Sequence, residues 1–358
     1  MLLLFIINFT LPGISFQGDP VFYYDARSLG LGGNGTVIEN TFNPATICLN
    51  EKIHLNLSGF LYEGTEKRGL RVYDSYGNNI GISTISVCQT SFVDLGPASL
   101  AVPIKILRFG LRNYRLYDFS YYFHHTYRDY FYQVIKTFDN TYDGALNSLA
   151  PIIGISYKGV HIGFETDFMY GSIKSELKTI YPSAEDSVKS DKKNLSGNGF
   201  KSGIIYAPSI YVRVAYFFEN KFRVYTGNDT IEYPVCHNFG FYYQPPYRIP
   251  TKFVIEFNYR IWDEPIYCYK FGVEHTVLYN YALRYGFSLY PDYNQPAVWT
   301  TNITLGLGGQ FKNYYFDVGF SFGKRDYANT DFGGLGIEEK YIFDETNIHY
   351  ILSFGFKL

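Results

Sequence analysis

The sequence predicts an all-β fold: a closed antiparallel transmembrane β-barrel of about fourteen strands with an N-terminal plug segment. Three observations predict it. Apolar and polar residues take turns along many segments of roughly ten residues, the length a tilted strand needs to cross a bilayer. The connections between these segments alternate between short and long. Tyr (37), Phe (32) and Gly (34) are abundant in a chain of 358 residues. Aromatic residues suit a pleated surface, and Gly suits turns and sheet corners.

Residues 1–16 read as a signal peptide. Met1 to Thr10 is an apolar core, and the small residues Gly13 and Ser15 follow at the spacing a signal peptidase uses. No other stretch approaches the ~20 consecutive apolar residues of a membrane-spanning helix. Formal net charge is -2, from 31 Lys and Arg against 33 Asp and Glu, so nothing electrostatic points to nucleic acid.

Residues 17–50 lack sustained alternation and form the expected plug. They contain the glycine run Gly30-Leu31-Gly32-Gly33-Asn34-Gly35 and the turn Asn43-Pro44-Ala45. The run does not match a phosphate-binding loop, and no βαβ unit follows it, so no nucleotide site is read here. Pro44 fixes its own φ and biases Asn43 toward extended backbone.

Residues 51–358 form the expected barrel. From Lys252 to Ile261, Phe253, Ile255, Phe257, Tyr259 and Ile261 face one way; Lys252, Val254, Glu256, Asn258 and Arg260 face the other. Comparable alternation starts at Tyr267, Tyr281, Ile303, Tyr314 and Ile348. Thirteen strands are read from residue 96 onward: 96–103, 107–119, 148–157, 160–177, 199–207, 211–224, 235–244, 250–261, 266–277, 281–290, 299–310, 313–323 and 348–358. Single-chain bacterial barrels carry an even number of strands, so residues 51–95 must add one or three. His54 to Tyr62 alternates; Arg68 to Val93 is ambiguous. Fourteen is the favoured count and sixteen the alternative.

Loop lengths separate a barrel from a soluble sandwich, which can alternate equally well. With the chain's end in the periplasm, short turns fall at Gln310 to Lys312, Leu278 to Asn280, Pro245 to Ile249, Pro208 to Ile210 and Lys158-Gly159. Long connections fall between them, at Lys324 to Asn347, Pro291 to Val298, Thr226 to Tyr233, Lys178 to Asn198 and Ser120 to Asn147. Asp263 to Pro265 is the one short turn on the long side. Barrels of the outer membrane sort their loops in this way.

The charges Glu165, Asp167, Arg213, Glu256, Arg260, Lys270, Glu274, Arg284 and Asp317 stand on the inward parity. Arg or Lys facing lipid at mid-membrane costs ~2–4 kcal/mol, which assigns such charges to the lumen. They either line a substrate path or pair with one another and with the plug. Glu165 and Asp167 are an i, i+2 pair on one strand face, with no nucleophile beside them to argue for catalysis. His124, His125 and His237 have no second ligand at metal-binding spacing. Cys48, Cys88, Cys236 and Cys268 are too scattered for a disulfide framework or a zinc site and read as packing residues. No metal, cofactor or enzymatic activity is expected.

The N-terminal segment resembles the plug of the FadL/TodX family of hydrophobic-compound transporters and their PorV-like relatives. The residues that carry the resemblance are Ala26, Arg27, Gly30, Gly32, Gly33 and Asn43-Pro44-Ala45. Further blocks in matching order are Tyr206-Ala207-Pro208, Phe253 to Trp262, Phe271 to His275, Ala282 to Gly286, and Thr304 to Gly308 with Phe316 to Val318. The end of the chain, Tyr350 to Leu358, looks like the terminal recognition strand of outer-membrane barrels. The resemblance implies an outer-membrane channel of a Gram-negative-type bacterium for passive uptake of small hydrophobic compounds such as long-chain fatty acids. It implies capture at the outer face, a shift in the plug, and release through the wall or into the periplasm. Membrane lipid and a small hydrophobic ligand are the implied partners. The alternative is a PorV-like barrel that shuttles or anchors secreted proteins. A lipid hydrolase would need a Ser/His constellation, which the sequence does not show.

Overall fold

The computed structural model describes residues 18–358 except 228, 247–249, 262–264, 279, 293–296 and 331–339. The signal peptide expected at 1–16 lies outside the described residues, as does most of the turn read at 263–265.

Fourteen antiparallel strands close into a barrel, the favoured count rather than sixteen. They are β1 (His54–Tyr73), β2 (Asn79–Ile104), β3 (Leu107–Asp118, resumed as Tyr121–Arg128), β4 (Val134–Tyr157), β5 (Val160–Ile180), β6 (Ser187–Ser209), β7 (Val212–Glu219, resumed as Phe222–Thr226) and β8 (Asp229–Tyr233, resumed as Val235–Tyr243). Then follow β9 (Thr251–Ile261), β10 (Pro265–Val277), β11 (Tyr281–Pro291), β12 (Trp299–Phe311), β13 (Tyr314–Thr330) and β14 (Lys340–Lys357). β14 pairs with β1 from Lys357 opposite His54 up to Ile342 opposite Gly69, which closes the sheet on itself. Hydrocarbon offers no hydrogen bonds, so this closure is what lets the sheet stand in a bilayer.

The alternation has a direct physical reading. Phe239, Phe241, Ile255, Tyr269, Phe271, Leu305, Leu307, Leu352 and Phe354 are all exposed on the outside. Their chain neighbours Asn238, Glu256, Lys270, Thr304 and Ser353 are buried within. An oily outer surface around a polar interior is inverted relative to a soluble barrel and matches a lipid-facing wall. No helix among the described residues is long and apolar enough to cross a membrane.

At one end the turns are tight. Lys105, Lys158 and Lys312 each enter a turn with left-handed backbone, at φ 55°, 46° and 53°. At the other end the strands run on well past the alternating segments. The stretches read as long loops, Ser120 to Asn147 and Lys178 to Asn198, are largely ladder: β4 pairs with the resumed part of β3 from Tyr121, and β5 pairs with β6 out to Thr179 opposite Ser187. Arg68 to Val93, ambiguous in sequence, is the β1–β2 hairpin with its tip at residues 74–78. Residues 187–192 are exposed on both faces. A hairpin arm wet on both sides keeps its ladder and loses its apolar period, which explains the shorter strands read from sequence.

The wall has one seam. β2 pairs with β3 only between Ala98–Ile104 and Leu107–Asn113. Beyond Asn113 the two strands part. Further out they touch again without a ladder, where Ser86 Oγ and Cys88 Sγ lie 3.2 and 3.3 Å from the His124 carbonyl. Into this seam comes the start of the described chain. Asp19 and Pro20 pair with Asp118 and Tyr117, and the Val21 N–H donates to the Leu116 carbonyl at 3.0 Å.

Candidate functional site

Residues 18–50 lie inside the barrel, touching strands around its circumference. From the seam the segment turns inward to Asp25, whose Oδ1 accepts from the Ser28 N–H at 2.8 Å and caps the short helix α1 (Ala26–Gly30). Gly32 and Gly33 follow with φ of 74° and 76°, and Gly33 N–H donates back to the Ser28 carbonyl at 2.8 Å. These left-handed glycines stop the helix and turn the chain across the lumen. Asn43 then caps a 3-10 turn, Pro44–Leu49. Its Oδ1 accepts from Ala45 N–H at 2.9 Å, and its Nδ2 donates to the Thr36 carbonyl at 2.8 Å.

The barrel meets this segment with glycines. Gly154, Gly163, Gly203, Gly240, Gly272, Gly286, Gly306 and Gly319, on eight different strands, each face a part of it. A methyl group at Gly272 would sit 2.5 Å from the Leu31 carbonyl oxygen, at Gly319 2.6 Å from that of Ala26, and at Gly240 2.8 Å from Thr36. Main chain therefore packs on main chain. Sequence reading met Gly272, Gly286 and Gly306 only inside blocks that carry the resemblance and assigned none of the eight a contact with the segment. Their real signal was that Gly holds inward positions on successive strands.

Two sets of buried charges hold the arrangement. On one side, Arg112 donates to Glu165 at 3.0 Å, and Tyr114 Oη lies 2.8 Å from both Glu165 and Asp167. Lys201 stands 3.4 Å from Asp167 and 3.6 Å from Glu165. Arg112 also reaches Thr46 of the segment at 3.2 Å. On the other side, Glu274 takes Arg27 of the segment (3.0 Å), Arg284 (2.6 Å) and Lys252 (2.5 Å), and Arg284 bonds Asp317 at 2.5 Å. Glu256 accepts from the Gly35 and Thr36 N–H groups at 2.6 and 2.8 Å and from Lys270 at 2.9 Å. Lys270 in turn donates to the Gly33 carbonyl at 2.7 Å. Arg260 lies over the Phe22 ring at 4.9 Å and Arg213 over Tyr242 at 4.7 Å.

The nine inward charges read from sequence thus fall in the lumen, most of them in these clusters. Arg112, Tyr114, Lys201 and Glu39 were not singled out, and Arg27 was named only as part of the resemblance. Arg112 and Lys201 were visible as inward-parity residues on strands already drawn. Within the segment, burial pushes Glu39 up, but the surrounding Arg27, Lys357, Arg213 and Lys252 outweigh it and hold its carboxyl down to about 2. Burial raises Asp25 to about 6 against its own helix-capping bond.

Above α1, on the side of the long hairpins, lies a cavity with about 130 Å³ of free volume. Its floor includes Phe22, Tyr23 and Leu29, and its walls include Tyr62, Phe92, Tyr121 and Tyr290. It reaches the seam, because Asp19, Pro20 and Asp118 line it too. Arg115 pairs with Asp94 and Asp118 at the seam and lies over the rings of Phe60 and Phe92 at 5.1 and 5.6 Å. Among the described residues no group of three His, Cys, Asp or Glu could hold a metal ion. His124 bonds Asp139 at 2.5 Å, and His237 bonds Tyr216 at 2.9 Å. The four cysteines are buried and free.

No family model matches the sequence, and no curated protein does. Solved structures do. A FadL homologue of Pseudomonas aeruginosa superposes with a TM-score of 0.69 at 12% identity, covering 95% of this chain and 99% of that one. The toluene transporter TodX of P. putida gives 0.65 at 14% identity, covering 94% and 99%. The CymD monoaromatic hydrocarbon channel gives 0.62 at 13%, covering 95% and 99%. This chain has the barrel fold of the FadL/TodX-type proteins.

Proposed function

We propose that this protein is an outer-membrane channel for passive uptake of small hydrophobic compounds, with residues 17–50 as its plug. The observation that carries the reading is the cavity and its outlet. A pocket partly walled by aromatic rings opens toward the long hairpins and ends at a wall seam closed by three residues, Asp19 to Val21. Straight passage is obstructed by the glycine contacts and by the clusters around Glu165, Glu256 and Glu274. Lateral passage asks only that the short Asp19–Pro20 strand leave the edge of β3. A hydrophobic solute released there enters lipid, its lower-energy phase. The neighbouring folds, one titled a toluene transporter and one a monoaromatic hydrocarbon channel, support the same reading.

The test is uptake of labelled toluene and of a long-chain fatty acid by cells that lack their own hydrophobic channel and express this chain. Saturable, protein-dependent uptake of either supports the proposal. Absence of both, with secreted proteins co-purifying on the barrel, would favour the shuttle reading instead.

A further inference from the structure

We propose that the cavity binds single-ring aromatic cations, compounds carrying a protonated amine, in preference to aromatic carboxylates. This refines the channel reading above and rests on it.

The free volume of about 130 Å³ sets the size of the occupant. A dry protein cavity of ~150 Å³ holds one benzene, so a single substituted ring is the scale that fits. Charge sets the chemistry. Five carboxylates line the cavity, those of Asp19, Glu66, Asp118, Asp292 and Glu345, against a single cationic side chain, Arg325. Two of the five are neutralised from behind: Arg68 bonds Glu66 at 2.5 Å, and Arg115 pairs with Asp118. Two more share Arg325, which bonds Glu345 at 2.5 Å and Asp292 at 3.3 Å. Asp19 has no cation within ion-pair distance among the described residues. The cavity is therefore short of positive charge on the side where Asp19 stands.

An ammonium supplies that charge, and a lining that includes Tyr62, Phe92, Tyr121 and Tyr290 suits a cation better than an anion. A carboxylate in the same place meets like charges. The state of Asp19 agrees. Burial raises its carboxyl to about 7; Arg325 opposes the rise, and Asp292, Glu345 and Asp118 add to it. A bound cation favours its ionised form, so affinity for an ammonium should rise as pH climbs through 7.

The test uses three probes of nearly one shape and three charges: benzylammonium, toluene and benzoate. Each is titrated calorimetrically into the full-length protein in detergent micelles at pH 6 and pH 8. The expected result is benzylammonium binding about tenfold or more tighter than benzoate, with the margin wider at pH 8. Asp19→Asn should lower the ratio of benzylammonium to toluene affinity about tenfold, in protein whose heat-modifiable migration shows a closed barrel. Toluene binding with benzoate equal to or tighter than benzylammonium overturns the charge preference and leaves the channel reading standing. An unchanged ratio in Asp19→Asn also overturns it. Failure of all three probes to bind overturns the channel reading as well.

Discussion

Arg27 of the segment and Glu274 of β10 form a two-pronged ion pair, Nε to Oε2 at 3.0 Å and Nη2 to Oε1 at 3.2 Å. It joins residues 247 positions apart and ties the N-terminal segment to the wall on that side of the lumen. Arg284 and Lys252 share the same carboxylate. Removing the acid leaves three cations crowded in a buried site, and breaking a buried pair from one side costs about 3–5 kcal/mol. Glu274→Gln should therefore raise hydrogen exchange throughout residues 26–35 while the β9–β12 ladder stays protected. Unchanged exchange in the segment would show that the tie contributes nothing to its seating.

The glycine belt makes a steric prediction. Gly272→Ala places a methyl group 2.5 Å from the Leu31 carbonyl oxygen, where only backbone can yield. Overpacking of this kind costs about 1–3 kcal/mol. The segment should become sensitive to protease in folded protein. Gly110→Ala, whose methyl would meet Ile152 and the Leu100 carbonyl at an ordinary 3.4 Å, should not have this effect. Equal protease sensitivity of the two variants would remove the special role given to close main-chain packing.

Protonation should control the seam. The docked Asp19 carboxyl sits at about 7, against 3.8 when free, so docking favours the protonated form. Its contribution is complete below pH 4, falls as pH rises toward 7 and is flat above. Asp25, raised to about 6, has the same sign. Glu39, lowered to about 2, has the opposite sign and acts only below pH 4.5, whereas both aspartates lose their contribution across the interval from pH 5 to 7. Protection of the Val21 amide should fall across that interval, and Asp19→Asn should remove most of the slope. A rise in protection with pH would refute the assignment.

Arg115 braces the same seam from the wall, between Asp94 and Asp118 and over two rings. Arg115→Ala should speed uptake of a hydrophobic solute and weaken protection of Val21 together. A change in uptake with no change at Val21 would separate the brace from the latch.

How much of this was legible in the sequence depended on what each face of a strand touches. β9 to β14 were readable because one face meets hydrocarbon and the other a polar lumen, so Phe253 to Ile261 or Tyr350 to Leu358 declare their sides at once. The arms at Ser187 to Lys192 gave no such signal, because water bathes both faces. Parity placed Glu256 and Glu274 in the lumen but could not pair them, since Arg27 and Gly35 reach them across more than two hundred residues. The seam was not legible at all. It arises because β2 stops pairing with β3 after Ala98 and Asn113, and no residue type marks the loss of a ladder.

That seam carries one more consequence. When Asp19 to Val21 leave, the bared edge of β3 turns its amides and carbonyls, the Leu116 oxygen among them, toward an oily surrounding. Each unmet backbone group there costs several kcal/mol. On the channel reading proposed above, an opening there closes by itself, because its open state is penalised by the very backbone it uncovers. On that reading, rare and brief openings replace a standing pore, and the membrane keeps its barrier to ions without any energy source holding the passage closed.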